Sequence, residues 1–100
     1  MRKYDIHTTY HLPAAISGET LREAVNSNLD VLAWESKGNG HGIRDLSLES
    51  LEYSPGIFGG KGGVVAKIRA YDMADDRWTI IEAWIHAGAA DLAEEDNNGQ

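Results

Sequence analysis

Hydrophobic and polar positions alternate from Tyr4 to Leu12. Tyr4, Ile6, Thr8, Tyr10 and Leu12 fall on one side, and Asp5, His7, Thr9 and His11 on the other. Period two is the mark of a strand with one buried face. Pro13 predicts its end, because proline has no amide to give to a ladder. The period then changes. Leu21, Val25, Leu29 and Leu32 recur at helical spacing, flanked by Ala24, so one apolar stripe runs along a single predicted helix. Ser17 or Thr20 can cap it, and Thr20-Leu21-Arg22-Glu23 has the spacing of a capping box, in which two side chains satisfy each other's backbone amides. The run Gly38-Asn39-Gly40-His41-Gly42 predicts its stop.

Further on, Leu46 and Leu48 keep one parity while Leu51 and Tyr53 take the other. A bulged strand over Ile43 to Tyr53, with its phase reset near Ser50, accounts for the switch; a short helical turn is the alternative. Two regular strands follow. Val64, Ala66, Ile68 and Ala70 form an apolar face, with Val65, Lys67, Arg69 and Tyr71 behind it. After the hairpin loop Ala74-Asp75-Asp76, Thr79, Ile81, Ala83 and Ile85 face inward, and Trp78, Ile80, Glu82, Trp84 and His86 face out. The predicted fold is α+β, in the order β-α-β-β-β: a four-stranded antiparallel sheet with one helix packed on one face. A single domain spans residues 1–90, and residues 91–100 form an acidic tail expected to fray.

Composition narrows the chemistry. The chain of 100 residues has no cysteine, which excludes disulfides, thiolate metal sites and cysteine nucleophiles and suits a reducing cytoplasm. The N-terminal stretch has no apolar run of signal-peptide length, and nothing approaches a membrane span. The expected setting is cytoplasmic, with no membrane partner. Sixteen acids against nine bases give a net charge of −7. Such a balance repels nucleic-acid phosphates and attracts basic protein surfaces, so no direct contact with nucleic acid is expected.

The segment SPGIFGGKGG, Ser54 to Gly63, sets a lysine among glycines. A phosphate loop of the Walker type needs four residues between its glycines, a hydroxyl after the lysine and a helix beyond. Here the spacing is one residue short, Gly62 replaces the hydroxyl, and a strand follows. The segment reads as a mobile hairpin connection whose apolar tip, Ile57 and Phe58, tucks back onto the protein or presents itself to a partner. His7 and His11 lie roughly 13 Å apart along a strand, too far to share an ion, so no metal and no cofactor is expected.

Two surfaces carry the remaining information. On the outward face of the last strands, Tyr71, Trp78, Trp84, Lys67 and Arg69 make a platform of rings and bases. Trp, Tyr and Arg in this mixture suit a protein interface, a homodimer included, or a small-ligand face. The second surface is acidic. Glu19, Glu23 and Asp30 form a stripe on the helix with Trp34 beside it, and Asp72, Asp75 and Asp76 cluster at the hairpin. These seven are the candidate partner-binding residues. The plain alternative for the stripe is a solvated helix face. No spacing of histidines, acids and Tyr71 singles out a catalytic set.

SGETLREAVNSNLDVLAWES, in a β-α-β-β layout over the first seventy residues, resembles the dodecin family. That resemblance implies a small flavin-binding oligomer using an aromatic sheet face. In length, acidity and single-domain α+β build, the chain also resembles the small inhibitors that phages deploy against CRISPR systems. This second resemblance implies a non-enzymatic acidic protein, acting in a bacterial cytoplasm, that blocks a basic, nucleic-acid-binding surface of a Cas protein or CRISPR effector complex. That is the leading expectation. The dodecin-like reading and a cofactor-independent small enzyme are its alternatives.

Overall fold

The computed structural model describes residues 2–7, 14–37 and 42–98. They form β1 (Arg2–His7), β2 (Ala14–Gly18), α1 (Leu21–Ser27), α2 (Leu29–Lys37), β3 (Ile43–Ser54), β4 (Gly63–Asp72), β5 (Arg77–His86) and α3 (Ala89–Asn98). The strands make one antiparallel sheet in the order β2-β1-β5-β4-β3, so the last strand in sequence lies at its centre. The α+β class and the antiparallel sheet follow the hydrophobic pattern. The element numbers do not: the sheet has five strands rather than four, and three helices stand where one was expected.

The additional strand is β2, whose sequence AAISG is poor in strand formers. Tertiary pairing makes it a strand. It runs antiparallel to β1 with Tyr4 opposite Ile16 and Ile6 opposite Ala14, which places Ile16 in the core. β2 ends at Gly18, where the chain passes against α1. A Cβ at that position would stand 2.5 Å from the Cα and N of Ala24, so only glycine admits the helix so closely. The expected first strand is described only as far as His7; its remainder, Thr8 to Leu12, and Pro13 lie outside the described residues.

Thr20 caps α1, its hydroxyl accepting a hydrogen bond from the amide of Glu23 at 3.1 Å, a contact generally worth about 1 kcal/mol. The predicted helix breaks at Asn28. That residue leaves helical geometry (φ −132°, ψ 27°). Its side-chain amide donates to the carbonyl of Ala24 at 2.7 Å, and its own N–H donates to the carbonyl of Val25 at 3.1 Å. The last turn is thereby closed by local bonds, as asparagine tends to do. α2 restarts with the amide of Leu32 donating to the carbonyl of Asn28 at 2.9 Å. The apolar stripe survives the break: Leu21, Ala24, Val25, Leu32 and Ala33 are all fully buried.

β3 is the bulged strand that the parity change predicts. Leu48 pairs with Ile68 and Ser50 with Lys67, so Glu49 is the extra residue that resets the phase. A second bulge, not visible in the sequence, sets Asp45 and Leu46 against Ala70 alone. Asp45 sits there in left-handed geometry at φ 55°, which aspartate tolerates better than most residues. The two irregularities keep both Leu48 and Leu51 against the core and make a long edge strand less able to pair with other chains.

In β4 and β5 the alternation holds throughout. Val64 pairs with Ile85, Ala66 with Ala83 and Ile68 with Ile81, and all six are buried together with the helices' apolar stripe. Three large-or-small pairs laid side by side fill the space beneath the helices without long side chains at the centre. The segment expected as a frayed tail carries α3. Leu92 packs against the core. Asp91 accepts a hydrogen bond from the Gly88 amide at 2.7 Å and pairs with Arg2 at 2.5 Å, linking the helix start to β1. No described helix is long and apolar enough to cross a membrane.

Candidate functional site

Because the buried apolar side chains of β4 and β5 point toward the helices, the alternate positions of these strands line an outer face. Trp78, Ile80 and Trp84 stand along the central strand, exposed by 47%, 47% and 42%. The expected platform is therefore present, with Ile80 as a further member that the same alternation had already placed there. Register arranges its residues in rows across the strands. Arg44, Tyr71 and Trp78 form one row. The Arg44 guanidinium lies 4.8 Å from the centre of the Tyr71 ring, Tyr71 meets Trp78 edge to face at 5.4 Å, and the Arg69 guanidinium lies 4.1 Å over Trp78. Cations over ring faces gain from the ring's negative quadrupole and hold the rings upright. Sequence reasoning missed Arg44, because the bulge at Asp45 determines which residue of β3 opposes Tyr71.

The middle row holds Lys67 opposite Glu82, with Lys67 also 3.8 Å from Glu52. At the far end a second ring cluster forms. His7 pairs with Trp84 and Asp5 with His86 across β1 and β5, and the two imidazoles meet edge to face at 4.3 Å. The tip of the glycine-rich connection folds down onto them. Phe58 stacks on His86 at 3.8 Å and 20° and lies edge-on to His7 and Trp84. Of the two outcomes expected for that tip, Phe58 tucks back, onto the outer face rather than the core. It does so from left-handed geometry (φ 56°), with Gly59, Gly60 and Gly62 beside it also at positive φ. Gly63 makes room, since a Cβ there would meet the Phe58 ring at 2.5 Å. Covered in this way, His86 has its pKa held below the ordinary 6.5, first by burial and second by the neighbouring His7; Asp5 opposes the shift and Lys61 adds to it.

The acidic candidates separate into distinct places. Glu19 is exposed in the link between β2 and α1, Glu23 is exposed in the first turn of α1, and Asp30 is exposed in the first turn of α2. The break at Asn28 puts Asp30 on a different axis from Glu23, so the stripe is not a single helical row. Trp34 is 54% exposed and shares a shallow recess with Asp30, Val31 and Glu35. At the hairpin, Asp72 is not a surface acid. It is 7% exposed, and its carboxylate accepts from the amides of Ala74 at 3.0 Å and Asp75 at 3.3 Å, holding the turn. Asp76 accepts from the Tyr71 hydroxyl, and exposed Asp75 lies 3.8 Å from Arg77. Among the described residues no group of three or more histidines and acids is placed to hold a metal ion. No protein-family model matches the chain, and neither a curated protein nor a solved structure does so.

Proposed function

We propose that this chain is a non-enzymatic binding protein whose helical side docks on a basic surface of a partner protein and keeps nucleic acid from it. The observation that carries the reading is the division of charge between the two layers. Residues 19–37 and 89–98, which hold the three helices, contain eight acids and only Arg22 and Lys37 as bases. The rest of the chain contains eight acids and seven bases. Nearly all of the net −7 is thus carried by the helical segments. A one-sided field steers a basic partner to that side and speeds encounter. Among the described residues, Glu19, Glu23 and Asp30 are its exposed carboxylates. Trp34 beside Val31 supplies the apolar anchor that interfaces place near their centre.

A nucleic-acid-binding surface of a Cas protein or CRISPR effector complex is a partner of this chemistry. The test is a gel-shift measurement of target-DNA binding by purified effector complexes of several types, with this protein titrated in. Inhibition of at least one type is expected, and it should weaken as salt rises. The triple variant Glu19→Lys, Glu23→Lys, Asp30→Lys, which moves the net charge from −7 to −1, should lose that inhibition while keeping its circular dichroism spectrum. Equal inhibition by the triple variant would remove the acidic side from the account, and DNA binding undisturbed in every effector would remove the partner class.

A further inference from the structure

We propose that the outer face of the sheet is the docking site for a second copy of this chain, in an antiparallel, face-to-face dimer. The helices lie on the other face, and among the described residues only the connection at 55–62 reaches over this one, at one end. What remains open is the stripe of Trp78, Ile80 and Trp84 on the central strand. Three strands of ten to twelve residues and two of five or six, about 4.8 Å apart, present roughly 700 Å², within the range that each partner of a standard stable interface contributes.

The signs of the charges along the strands select the orientation. Passing from the β4–β5 hairpin toward the glycine-rich connection, the face is acidic at Asp75 and Asp76, with Arg77 among them. It is then basic at Arg44 and Arg69, with Asp45 3.7 Å from Arg44, mixed at Lys67 and Glu82, acidic at Glu52 and Asp5, and basic again at Lys61 and Lys3. Reversing this order exchanges acid for base at the four steps outside the central row, and the Lys67–Glu82 row falls on its own copy. A two-fold axis through the Lys67–Glu82 row therefore brings unlike ends together, as an isologous interface requires. The same operation sets Ile80 of one copy over Trp84 of the other, and Trp78 over the Phe58 ring that covers His86. Docking through the helical side would instead oppose two acidic layers, which repel. The dimer does not depend on the acidic reading, and it would display both acidic sides outward.

Sedimentation equilibrium over a dilution series, from about 1 to 200 μM, tests this. Wild-type protein should approach twice the 10.9 kDa of the chain as concentration rises. Ile80→Lys puts a charge at an already exposed position, so the domain should keep its circular dichroism spectrum while the dimer constant weakens at least tenfold. The triple variant at Glu19, Glu23 and Asp30 should dimerise at least as well as wild type, which separates this interface from the acidic one. A wild-type monomer at 200 μM, or an Ile80→Lys variant that associates as wild type does, overturns the proposal. A monomer whose tryptophan fluorescence is quenched by a single-stranded oligonucleotide, through Trp78 and Trp84, would also overturn it and assign the face to nucleic acid.

Discussion

Replacing Gly18 with alanine tests the contact that joins the sheet's edge to the helical layer. The added Cβ would lie 2.5 Å from the Cα and N of Ala24 and 2.6 Å from its Cβ. Ordinary van der Waals contact begins near 3.4 Å, so α1 must withdraw from β2 by about 1 Å. The obstacle is helix backbone rather than a pliable side chain, which places the cost at the upper end of the overpacking range, about 3 kcal/mol. Gly18 does not have positive φ, so alanine also stiffens the unfolded chain and returns about 0.5–1 kcal/mol. The net loss is about 2 kcal/mol. For a domain of this size that lowers the melting temperature by roughly 8–16 °C. Gly56 is the control, because an added Cβ there meets nothing within 4 Å and its φ is not positive; Gly56→Ala should be neutral or slightly stabilising. Thermal unfolding followed by circular dichroism, at one protein concentration for all variants, decides the matter. A Gly18→Ala protein melting within about 2 °C of wild type would refute the close-approach argument.

Two further outcomes follow from the hairpin and the ring cluster. Asp72→Ala should cost about 1–2 kcal/mol by urea unfolding, because two turn amides lose a charged acceptor, whereas Asp75→Ala should stay within about 0.5 kcal/mol; equal effects would contradict the division of roles. His86 binds protons less readily in the folded than in the unfolded chain. Its contribution is therefore neutral above its ordinary pKa of 6.5, turns against folding as pH drops through that value, and levels off below the folded-state pKa. Phe58→Ala uncovers the imidazole, so an NMR titration should show the His86 pKa moving back toward 6.5; an unmoved midpoint would mean that Phe58 does not shield the ring.

How much of this was legible in the chain can be read from its elements. The faces of β4 and β5 were, because a sheet covered on one side forces strict alternation, and no neighbour can override it without burying charge. The bulge at Glu49 was legible for the same reason, since a parity change within a strand has few other causes. The outer platform of Tyr71, Trp78, Trp84, Lys67 and Arg69 followed directly, and Ile80 with it. β2 was not legible. Alanine, serine and glycine carry little strand signal, and the segment is a strand because β1 and α1 bracket it. Nor was the break at Asn28, because the apolar stripe continues across it with no change of period. Asp72 continues the buried parity of Val64, Ala66, Ile68 and Ala70, so its burial was legible in the alternation, whereas its bonds to the turn amides were not.

By itself, then, the sequence determined the period of each buried face and hence the class of fold, the two-sided character of the sheet and the excess of acid. Those are local quantities, set by which residue types repeat at two or at 3.6. Local bonds at Asn28 divide the helix; tertiary structure alone decided the fifth strand and the second bulge. Each of these depends on pairing and close approach between residues far apart in the chain, where weak local preference yields to contacts that exist only once the domain has closed.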